Sequence, residues 1–114
     1  MLAYMQSAEY KEKTAPASYI SASVRYDRNI FVADELMFYF SSKATEVTYK
    51  DIVVDIGFYT KTNTLLKDYQ HTIYEFLRPG GNLDIEVPIG NLPASWDYKS
   101  GKISVKVKSA VPVQ

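Results

Sequence analysis

Residues 51–59 read Asp-Ile-Val-Val-Asp-Ile-Gly-Phe-Tyr, and apolar side chains fall at every second position: Ile52, Val54, Ile56 and Phe58. A period of two places these four on one face of a pleated strand and Val53, Asp55, Gly57 and Tyr59 on the other. The same alternation returns in Leu83, Ile85, Val87 and Ile89, with Asp84 and Glu86 between them. One oily and one wet face per strand is the signature of half-buried strands in antiparallel sheets. Gly57 falls on the outward face, where a missing side chain predicts a bulge or a closely approaching neighbour.

Working outward, extended segments are predicted over Tyr19–Tyr26, Ile30–Ser41, Val47–Thr60, Leu65–Leu77, Leu83–Ile89 and Lys102–Ser109. A seventh strand arises if the tail after Ala110 pairs. The breaks between them carry turn chemistry: Asp27-Arg28-Asn29, the polar run Ser41–Glu46, Lys61–Thr64 and Arg78-Pro79-Gly80-Gly81. The link 90–97 has room for one helical turn with Asn91 as its cap, and Trp96 within it is expected to plug the end of the core. The stretch Leu65–Leu77 is less cleanly alternating, which suits an edge strand. Residues 1–17 read as a flexible lead-in or a short helix ended by Pro16, without an apolar stripe that demands docking. Residues 18–114 then form one all-β domain, an antiparallel β-sandwich of six to seven strands.

Composition narrows the function. Thirteen basic and thirteen acidic residues cancel, which removes the attraction that dominates nucleic-acid binding. The absence of cysteine excludes disulfides, thiol catalysis and zinc-thiolate sites. No apolar run approaches the roughly 18 residues that span a bilayer as a helix. The first residues lack the basic and apolar blocks of a signal peptide, so the chain reads as cytosolic or as a mature fragment freed of its leader.

No catalytic constellation emerges. His71 is the lone histidine, no Gly-x-Ser-x-Gly elbow accompanies it, and it reads as a solvated residue of an edge strand. Asp34, Glu35, Asp51, Asp55, Asp84 and Glu86 are carboxylates available for paired acid–base work, but charges on the wet face of an amphipathic strand are ordinarily just hydrated. The lysines Lys102, Lys106 and Lys108 form a stripe without interleaved aromatics, which fits protection of an exposed strand. No cofactor and no metal is expected. The ten tyrosines suit a β-protein and also suit contact surfaces. If the second and third strands share a sheet, Met37, Tyr39, Val53 and Tyr59 make a partly apolar outer face of the kind that marks contact sites.

The order of these features resembles the FxLYD-like group of bacterial immunoglobulin-like domains. The matching residues are Lys50, Asp51, Ile52, Val54, Ile56, Phe58 and Tyr59 in the strand, then Leu77, Pro79 and Gly80 in the turn. The likeness runs from about Tyr19 to Lys108, with Thr60 where an acidic residue usually follows the aromatic pair and no glycine in the turn after it. It implies an immunoglobulin-like sandwich in a bacterial cell-envelope or extracellular protein. The expected role is a non-catalytic module for protein binding, assembly or spacing, with a protein partner, a neighbouring domain or a second copy as its contact. The alternative is a carbohydrate- or small-ligand-binding accessory domain that uses exposed tyrosines.

Overall fold

The computed structural model describes residues 7–27, 35–88, 93, 96, 97 and 99–113. The described chain is mostly strand: β1 (Ile20–Asp27), β2 (Glu35–Ser42), β3 (Thr48–Tyr59), β4 (Leu65–Ile73), β5 (Asn82–Pro88) and β6 (Lys102–Val113). They form two antiparallel sheets of three strands, β1-β2-β5 and β4-β3-β6. The all-β class expected from the alternation is what the chain adopts. The predicted turn Asp27–Asn29 beyond Asp27, the start of the second strand at 30–34, Ile89 and Asn91 lie outside the described residues.

The inward faces of both sheets share one core. Leu36, Phe38 and Phe40 of β2 meet Ile52, Val54, Ile56 and Phe58 of β3, all buried. Phe38 and Phe40 stack at 6.1 Å between ring centroids, and Trp96 closes one end by packing edge-on to both Phe58 and Tyr26. Its indole N–H donates to the Lys102 carbonyl at 3.3 Å, so the polar atom of a buried ring is satisfied.

Two strands end four residues from where they are expected, and a third breaks its period. β4 ends at Ile73, four residues early, because Leu77 turns inward and exchanges backbone hydrogen bonds with Tyr49 at 2.8 and 2.9 Å. The tail after Ala110 makes no seventh strand; it continues β6 alongside the start of β3, pairing Val113 with Thr48. Within β3 the period of two slips once. Asp51 has φ 49°, and the register between β3 and β6 shifts beside it, so Tyr49 and Ile52 both face the core although they are three apart. Asp is among the few non-glycine residues that tolerate this backbone region.

The turns follow their chemistry. Gly80 takes φ +67° after Pro79, and the Gly81 N–H closes onto the Arg78 carbonyl at 2.9 Å, as a proline-glycine turn requires. In the β3–β4 hairpin, where glycine is missing, Asn63 supplies the positive φ of 69°.

The N-terminal segment is a docked element. Helix α1 (Ala8–Thr14) leads into a 3₁₀ turn (Pro16–Tyr19) that enters β1 directly. Ser7 caps the helix by accepting from the Tyr10 N–H at 3.1 Å. No apolar stripe holds it down. The anchor is Glu12, a carboxylate with 1% of its surface exposed.

Candidate functional site

The two layers have two lateral seams, and they differ. On one side β1 lies against β6, and the 3₁₀ turn and α1 cover that flank. On the other side stand β4 and β5, each the outer strand of its sheet. No sheet neighbour closes this gap among the described residues, and it opens as a groove of about 540 Å³. Its floor comes from residues that the alternation turns inward but that an edge strand covers only on one side: His71 and Ile73 of β4, Ile85 and Val87 of β5. Its rim holds Glu75, Asp84 and Glu86. Past the early end of β4, Tyr74 and Glu75 line the groove; Tyr74 is 78% exposed, and Phe76, two residues further on, is 63% exposed. These are the most exposed large apolar side chains among the described residues.

His71 is placed differently from the sequence reading. Register pairs it with Val54, so it faces inward, half-buried, and its ring stacks on Phe38 at 6.5 Å with the planes 8° apart. The edge strand was legible, but the face was not: a histidine beside Ile73 in parity shares the face of Ile73.

The residues Met37, Tyr39, Val53 and Tyr59 do not come together. All four point outward and are half-buried. Met37 and Tyr39 sit on the β1-β2-β5 sheet, whereas Val53 and Tyr59 sit on the β4-β3-β6 sheet. The cause is the 43–47 connection, which carries the chain from one layer to the other instead of closing a hairpin. Buried Ala44 and Val47 pin it. Each half of the set makes a separate hollow. Tyr39 joins Ser21, Ser23, Asn82 and Asp84 around about 230 Å³, with the Arg25 guanidinium 6.0 Å over its ring. Tyr59 lies across Gly57, where an added Cβ would come within 2.8 Å of its ring. That explains the outward glycine: an aromatic from the same strand fills the gap. Asp55, Asp68, Ser104 and Lys106 surround it in a polar hollow of about 500 Å³.

Glu12 is the polar cluster that sequence reasoning missed. Its Oε2 accepts from the Thr45 N–H and hydroxyl, both at 3.0 Å. Its Oε1 accepts from the N–H groups of Glu46 at 2.9 Å and Val47 at 3.0 Å. Burial works to raise its pKa, and the backbone and hydroxyl donors outweigh that, holding the carboxyl below its ordinary range. Tyr49, itself buried, donates to the Glu12 carbonyl at 2.7 Å, and burial beside this carboxylate pushes its phenol up to about 12. With every donor matched, this cluster is a structural clasp for the connection between the sheets.

Among the described residues no group of three or more His, Cys, Asp or Glu stands close enough to hold a metal ion, and no helix is long and apolar enough to cross a membrane. No family model matches the chain, and neither a curated protein nor a solved structure matches it.

Proposed function

We propose that this chain is a non-catalytic immunoglobulin-like module, of the FxLYD-like kind, that serves protein binding or assembly in a bacterial envelope or secreted protein. The sheet pairing supports the fold reading, because the chain changes layer after β2, after β4 and after β5, in the manner of the Greek-key connections of such sandwiches. The observation that carries the functional reading is the open seam with Tyr74 exposed in its lining and Phe76 exposed two residues further along the chain. Water-exposed aromatic surface next to an apolar groove is unfavourable for an isolated domain and favourable for one that meets a partner there. The carbohydrate reading draws on the Tyr39 hollow, whose serine, asparagine and aspartate suit hydroxyl groups. One face of the Tyr39 ring is occupied by Arg25, which weakens it as a stacking platform.

A photo-crosslinking side chain at position 74, with position 61 in the exposed β3–β4 turn as the control, tests the assignment. A discrete protein adduct formed from position 74 alone, whose purified partner rebinds the unmodified chain, is the expected result. Equal labelling from both positions, or selective retention on a glycan array that is lost on Tyr39→Ala, overturns it.

A further inference from the structure

We propose that the open seam receives an extended polypeptide segment in which apolar residues alternate with lysine or arginine, added as a further strand along the free edge of β5. The inference rests on the protein-binding reading and names the occupant of the same groove. Among the described residues β5 pairs only with β2, so its other edge presents backbone donors and acceptors that no described strand takes up, the template on which strand addition is built. Pro88 lacks an N–H and sits at the end of the strand, which leaves Asn82 to Val87 as the usable edge.

The side chains specify the guest. Along β5 the inward residues Leu83, Ile85 and Val87 are only half-buried, and the outward Asp84 and Glu86 are exposed. A strand laid beside them sets its own inward residues against Ile85 and Val87, with Ile73 and His71 of the opposite sheet beneath. The groove of about 540 Å³ gives those side chains room. Its outward residues become cross-strand neighbours of Asp84 and Glu86. Among the described residues three carboxylates line the groove, those of Glu75, Asp84 and Glu86, and neither lysine nor arginine does. An outward lysine or arginine is therefore attracted and an outward acid repelled. Apolar in, basic out is the pattern that satisfies both faces.

A second copy of this chain is a poorer occupant. Its own strand of that pattern, β6, has one edge on β3 from Thr48 to Tyr59, and its other flank lies against β1, the 3₁₀ turn and α1.

The test uses the intact chain and labelled synthetic peptides of about nine residues, long enough to form one strand, read by fluorescence anisotropy. One peptide alternates valine with lysine, a second alternates valine with glutamate, and a third has the composition of the first with prolines that remove backbone donors. The first is expected to bind at least roughly tenfold more tightly than either control. The double substitution Asp84→Lys with Glu86→Lys, both exposed, is expected to weaken it by roughly tenfold and to improve binding of the glutamate peptide. Hydrogen exchange is expected to slow along β5 on binding.

Equal binding of all three peptides, protection confined to β6, or indifference to the double substitution overturns strand addition at β5. Concentration-dependent dimerisation that protects β5 while no peptide binds overturns it in favour of a second copy. If the peptides fail while position 74 still crosslinks one protein, strand addition fails and the protein-binding reading stands. If both fail, both fall.

Discussion

Removing the Glu12 carboxylate should loosen the whole N-terminal end of the domain. Four donors converge on it, three from backbone and one hydroxyl, at 2.9 to 3.0 Å. Hydrogen bonds to a charged group contribute about 1.5–3 kcal/mol each. Their sum overstates the loss, because a chain that has lost Glu12 can release α1 and let water reach the 45–47 amides. The cost is then capped by the docking of the helix. For Glu12→Ala we expect about 2–4 kcal/mol, the range of a broken buried polar network. For Glu12→Gln one oxygen still accepts from two donors while an NH₂ faces the Thr45 N–H, and about 1–2 kcal/mol is expected.

Urea unfolding followed by Trp96 fluorescence measures both, and hydrogen exchange at Thr45, Glu46 and Val47 locates the effect. The pH dependence has a definite sign. The folded pKa lies below the unfolded one, so the stabilisation is complete above the ordinary carboxylate value near ~4.3 and is lost as pH falls through the lowered folded value. The gap between wild type and Glu12→Gln should therefore close in acid. A change within about 0.5 kcal/mol for Glu12→Ala, with unaltered exchange at 45–47, would refute the clasp.

Tyr49→Phe removes the donor to the Glu12 carbonyl and should cost about 1–2 kcal/mol in the same urea assay, with less than additive loss when combined with Glu12→Ala. At Asp51, where φ is 49°, glycine should be neutral or slightly stabilising, whereas valine should cost about 1–2 kcal/mol, measured by thermal unfolding. Gly101→Ala drives a methyl group into the Trp96 indole and the Asp97 carbonyl. It should cost about 1–3 kcal/mol and shift Trp96 emission to the red as the ring leaves its pocket.

Alternation made β3, β5 and most of β6 legible, because each has one face in the core and one in water. It gave the face of a residue, not the neighbour of a strand. Nothing in β2 or β3 says that they belong to different sheets, so alternation alone groups Met37 with Val53 although the 43–47 connection separates them. The bulge did leave a trace. Tyr49 and Ile52 are large, apolar in character and three apart, a spacing that a regular strand cannot turn to one side. β4 misled in the opposite way, since Tyr74 and Phe76 keep the alternation after the strand has ended. The Glu12 clasp was hidden for a different reason. A periodicity search registers apolar stripes, and a single acid in a charged helix resembles any solvated residue until its distant partners are known.

The two seams also separate protection of an edge from use of it. Strands exposed at a sheet edge are commonly blunted with charge or proline, and Asp84, Glu86 and Pro88 on β5 fit that description. Protection alone, however, calls for a polar rim throughout. On the opposite flank the chain achieves closure, burying Ile20, Val107 and Ala110 beneath the 3₁₀ turn and α1. At the β4–β5 seam it leaves Tyr74 in water at a groove lined by half-covered Ile85 and Val87, with Phe76 exposed two residues further on, which raises the hazard that blunting lowers. Acids that repel wrong partners, next to apolar surface that needs a right one, form the combination expected of selective recognition. Replacing Tyr74 and Phe76 with serine separates the cases. Fold stability should hold or rise, because both rings are solvated, while binding at the seam should fall. A pair of serines that unfolds the domain would show the rings to be core and would refute a docking edge at this seam.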